Sequence, residues 1–130
     1  MSDATITTEQ PPFVAEEAAP MIVPATAAYM PPTAQAFFAV VSAAGALVRG
    51  GPLAVSAAHL GTGLYQVLFD HDLTGSAYIG TIGLIGNSGE SPAGLIAVVG
   101  RFGAPNGVFV QTFNAAGKPT DLAFHLAVLS

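Results

Sequence analysis

Beyond residue 33, short apolar runs are broken by turn-forming residues about every ten positions. The breaks are Ala44-Gly45, Gly50-Gly51-Pro52, Gly61-Thr62-Gly63, Gly86-Asn87-Ser88-Gly89, Pro105-Asn106-Gly107 and Ala116-Gly117-Lys118-Pro119. Gly and Asn accept positive φ, and Pro presets a turn, so each break ends one extended segment and starts another. Runs of this length and spacing suit an all-β sandwich or barrel. The spacing predicts about eight strands, near 36–42, 46–49, 53–60, 63–69, 76–84, 95–101, 107–113 and 123–129. Thr33 to Ala46 is rich in Ala and competes as a helix. Val40, Val41, the Phe37-Phe38 pair and the stop at Gly45 favour a strand.

Residues 1–32 follow different rules. Six of the ten prolines lie there, while all fifteen glycines lie beyond it. Proline fixes φ and removes a backbone donor, so this stretch is expected to run extended. It cannot build a core alone, yet apolar anchors punctuate it: Phe13, Val14, Met21, Ile22, Val23, Tyr29 and Met30. A solvated linker has little use for such anchors. The chain therefore divides into an N-terminal arm, 1–32, and a head, 33–130, with the arm expected to dock on a neighbouring head or a host particle.

Charged residues are 8% of the chain against roughly 25% in a typical soluble domain. A monomer so poor in charge must cover itself with small and apolar side chains, and large apolar patches mark interfaces. The strand alternation agrees. Tyr65, Val67 and Phe69 share one face, as do Phe124, Leu126 and Val128, and Val108, Val110 and Thr112. Each opposite face is only semi-polar, whereas a lone sandwich reads apolar-in and polar-out. A homo-oligomer follows as the expected state.

Several function classes are set aside. The only fixed cations are Arg49, Arg101 and Lys118, too few to neutralise several phosphates. No run reaches the length of about 20 apolar residues that spans a membrane. The first residues lack the pattern of a secretory signal. Cysteine is absent, so disulfides and thiolate sites are excluded. No nucleophile elbow, phosphate loop or paired acid–base set is present, so no catalytic residues, no cofactor and no enzymatic activity are expected. Asp70-His71-Asp72 has metal-like content but no second acidic cluster, and an acidic turn is favoured, with no metal. His125 reads as a packed or hydrogen-bonded residue, and His59 as an exposed strand end that could meet a symmetry mate.

The order of motifs carries a resemblance. VVSAAGALVRG precedes HLGTGLYQVLFDHDLTGSAYIGTIG, then a Gly- and Pro-rich loop, then PNGVFVQTFNAAGKPTDLAFHLAVLS. Over residues 36–130 this is similar to a small β-sandwich module of bacterial and phage proteins, patterned like the trimeric head domains of phage tail fibres. The resemblance implies a jelly-roll-like homotrimer on a virion or other extracellular, particle-associated assembly, joined by its arm to a fibre, a capsid or a comparable host particle. It also implies a departure: relatives of the module often carry Cys where Ser76 and Ser130 stand, tying the last strand to the strand at 76. A second expectation is a cell-surface or carbohydrate-binding module. Its contact loops would be 84–94 and 102–107, with Asn87, Ser88, Glu90, Phe102 and Asn106 as contacts. The absence of Trp weakens that reading.

Overall fold

A computed structural model describes residues 10–13 and 35–130. Of the arm anchors, Val14, Met21, Ile22, Val23, Tyr29 and Met30 lie outside the described residues. Eight strands form: β1 (Ala36–Val41), β2 (Leu47–Gly51), β3 (Ala54–Gly61), β4 (Leu64–Phe69), β5 (Ala77–Ile82), β6 (Gly94–Gly100), β7 (Gly107–Asn114) and β8 (Phe124–Leu129). Each coincides with an expected run to within two or three residues. The Ala-rich opening of the head is a strand, as its β-branched and aromatic residues favour. Among the described residues there is no helix, and therefore none long and apolar enough to cross a membrane.

The strands form two antiparallel four-stranded sheets, ordered β2-β1-β8-β5 and β3-β4-β7-β6. The chain changes sheet between β2 and β3, β4 and β5, β5 and β6, and β7 and β8. This is the winding of a β-sandwich.

Alternation along each strand sends one set of side chains between the sheets. Phe37, Ala39 and Val41 of β1 enter the core with Tyr65, Val67 and Phe69 of β4. Val108 and Val110 of β7 and Phe124, Leu126 and Val128 of β8 complete it. Fully burying one such side chain contributes roughly 1.5–3 kcal/mol before entropy costs. The inner faces read from the alternation are thus the inner faces of the sandwich.

The antiparallel registers place the connections at two poles. One pole holds Gln35, the turns 51–54, 69–77 and 101–107, and Ser130. There the Ser130 amide donates to the Gln35 carbonyl at 2.9 Å. Pairing of Ala77 with Leu129 makes Ser76 and Ser130 the next facing positions of that ladder. The other pole holds the turns 42–46, 61–64, 82–94 and 114–124. There Gly63, with φ at 67°, is required, because a Cβ at that position would lie 2.5 Å from the Thr112 carbonyl oxygen.

Candidate functional site at the arm pole

The turn joining β6 to β7 is built almost wholly from its own backbone. Arg101 N–H donates to Gly107 O at 2.9 Å, Ala104 N–H to Arg101 O at 3.1 Å, and Gly107 N–H to Ala104 O at 3.0 Å. The turn is then fastened to the end of β4. Phe69 N–H donates to Asn106 O, and the Asn106 side-chain amide donates to Phe69 O, both at 2.9 Å. Leu73 N–H donates to Pro105 O at 2.8 Å. A turn held by this many bonds presents its side chains at fixed positions.

Arg101 is the product of that rigidity. It is a buried cation, 4% exposed, on the outer side of the second sheet. Burying a guanidinium is costly unless its donors are satisfied. Its Nε donates to Gln66 Oε1 of β4 at 2.6 Å. Its Cζ lies over two aromatic rings, 5.6 Å from the Phe13 centroid and 5.9 Å from that of Phe109, within cation–π range. Its outer nitrogens meet the arm. Nη1 donates to Pro11 O at 2.7 Å and to Gln10 Oε1 at 3.2 Å, and Nη2 to Pro12 O at 3.4 Å.

Gln10 answers from the other side. Its Nε2 donates to Gly100 O and its Oε1 accepts from Phe102 N–H, both at 2.8 Å. Phe13 rests on Gly103, whose φ is 81° and where an added Cβ would stand 3.0 Å from the Phe13 Cβ. Sequence reasoning singled out Phe13 and Phe102 but missed Gln10 and Arg101. The only local signal was a rare cation at the end of an apolar strand.

The proposed ligand loops do not make one surface. They lie at opposite ends of β6, whose seven residues span roughly 20 Å. Asn106 is buried at 2% exposure and belongs to the framework of its turn, not to an exposed rim. Phe102 is exposed, and its backbone rather than its ring serves the arm. Asn87, Ser88 and Glu90 are exposed at the far pole. Ser88 there joins Ser42, Ala43, Leu84, Ile85 and Ala123 in lining an open hollow.

The histidines fall into three settings. His59 Nε2 lies 2.9 Å from Asp121 Oδ1, which also accepts from Gly63 N–H at 2.7 Å. These bonds, the Gly63 amide first, hold the Asp121 carboxyl below its usual range. The His59 ring meets Tyr65 edge-on at 5.2 Å. Burial, with Asp121 adding to it, pushes the Tyr65 phenol up to about 12, so it stays protonated and donates to Ala43 O at 2.7 Å. The cluster clasps the β3–β4 turn to the segment before β8. The partner of His59 stands 62 residues away, and no local pattern announces it.

His125 Nε2 is 2.9 Å from Leu84 O, so it is a hydrogen-bonded residue of the outer face. His71 is fully buried, its ring 4.6 Å from that of Phe37. Neither of its nitrogens has a hydrogen-bond partner among the described residues, and burial lowers its pKa. The acidic segment around it is a turn: Asp72 Oδ1 accepts from Thr74 N–H at 2.9 Å. No group of three acidic, histidine or cysteine residues gathers as a metal site among the described residues.

No family model, curated protein or solved structure matches this chain.

Proposed function

We propose that the chain is a non-enzymatic structural protein. Its sandwich head self-associates as a homotrimer through the outer face of the first sheet, and its N-terminal arm joins the head to a larger particle such as a fibre or capsid. One observation carries this reading. The outer face of β1, β8 and β5 is apolar and open, with Phe38, Ile79 and Leu129 at 45%, 57% and 46% exposure. Phe38, Ile79 and Ala127 border a shallow hollow whose polar members are Thr81 and His125. Soluble monomers rarely leave a contiguous apolar patch uncovered, and larger ones mark contact sites.

The carbohydrate-binding alternative gains nothing from loops at opposite poles. The test is mass by light scattering on the full chain at micromolar concentration. A trimer that dissociates on Ile79→Lys supports the reading. A clean monomer in the unmodified chain overturns it.

A further inference from the structure

We propose that Gln66, Phe109 and the turn Arg101–Gly103 form a recognition site for an extended Gln-Pro-Pro-aromatic peptide. Residues Gln10–Phe13 are its resident ligand, displaceable by the same sequence in trans. The inference stands on geometry independent of the assembly reading.

Each element of the peptide is read by a separate group. The glutamine amide faces one acceptor and one donor of the head backbone, Gly100 O and Phe102 N–H. Only an amide matches both: a carboxylate would turn an acceptor toward Gly100 O. The carbonyls of Pro11 and Pro12 accept from the two outer nitrogens of Arg101. Prolines suit this use. Gln10 and Pro11 each precede a proline and are steered away from helix, which leaves the carbonyls free of intrachain partners. The aromatic at the fourth position closes over the guanidinium and needs the flat seat of Gly103.

The reading groups are also held by contacts within the head itself. Gln66, itself 1% exposed, and Phe109, 2% exposed, fix the plane of Arg101 from the head side. A site held in this way loses less freedom on binding, so a short peptide suffices. Proline-rich segments are suited ligands for the same reason, having little conformational entropy to lose.

The experiment uses the full chain carrying Gln10→Ala and Phe13→Ala, which removes both side-chain contacts of the resident segment and leaves it easily displaced, and a fluorescent peptide of residues 8–15 followed by anisotropy. The peptide is expected to saturate this double variant. It should bind unmodified protein at least about tenfold more weakly, because the tethered segment competes at high effective concentration. A peptide with Glu in place of Gln10 should lose about tenfold, as should the double variant also carrying Arg101→Lys, where the planar fork is gone. Absence of binding, or binding indifferent to these changes, overturns the proposal. Amide exchange supplies a second readout. Gln10→Ala alone should release the Phe102 amide while that of Arg101, bonded to Gly107 O, stays protected. An unchanged Phe102 amide overturns the proposal equally.

Discussion

Two outward-facing regions of this sandwich differ in fate: the middle of the second sheet, around β4 and β7, and the first sheet. On the second sheet, Gln66, Leu68 and Phe109 point away from the core yet are buried. Arg101 and Phe13 stand over that region. On the first sheet, Phe38 and Ile79 occupy equivalent outward positions and remain open. Among the described residues one connection reaches across it: Leu84 O lies at 2.9 Å from His125 Nε2 on β8, and Ile85 O accepts from Arg49 on β2 at 2.7 Å. An outward-facing apolar residue is therefore not in itself an interface. Among the described residues, the second face is covered around β4 and β7, whereas Leu95 and Val99 on β6 are as open as Phe38 and Ile79 on the first sheet.

Substitutions can break this contrast, and the interior sets the scale. Phe69→Ala empties the core shared by both sheets and should cost about 3–5 kcal/mol in urea unfolding. A loss under about 1 kcal/mol would mean the strand faces are assigned the wrong way round. On the covered face, Phe109→Ala should cost about 3 kcal/mol, because a buried ring under Arg101 is lost. A cost as small as that of an open-face residue would show that the cover contributes no stability.

An acid titration probes the core beneath both faces. Burial depresses the His71 pKa, so the folded state disfavours its imidazolium. The stability this histidine contributes is complete above its unfolded pKa, near 6.5, and is lost as pH falls below it. The slope can reach at most about 1.4 kcal/mol per pH unit, one proton's worth. Comparing unfolding at pH 7 and pH 5 should show this loss, and His71→Leu should flatten it. A wild-type stability that is level across that interval would contradict the buried neutral state. The smallest effect is expected on the open face. Phe38→Ala should change the stability of the dissociated chain by about 1 kcal/mol or less, since nearly half of the ring already meets solvent. Its effect on oligomer mass should be much larger. A Phe38→Ala chain that associates as before would move the contact elsewhere.

The strands and their faces were readable because both signals are local: a break about every ten residues and a period of two. Tyr65, Val67 and Phe69 needed only their own strand to be assigned inward. The arm's site was not readable in this way. Arg101 and Gln10 are 91 residues apart, and neither carries a local pattern that names the other. Phe13 was found because an aromatic in a proline-rich stretch is conspicuous. Arg101 was seen only as one of three cations in a charge count. The loops at 84–94 and 102–107 were legible as loops, but their separation depends on β6 running between them.

The Ser130 amide bonded to the Gln35 carbonyl brings the start and finish of the head to one pole. The Gln10–Phe13 site is at that pole too. The chain therefore has a built-in front and back. The Asn114–Lys118 turn is on the back, pinned by Asn114 Oδ1 accepting from the Ala116 and Lys118 amides, with its tip exposed. A peptide spliced in beside Gly117 would project away from both ends of the head, so any surface gripping the arm would display the insert outward.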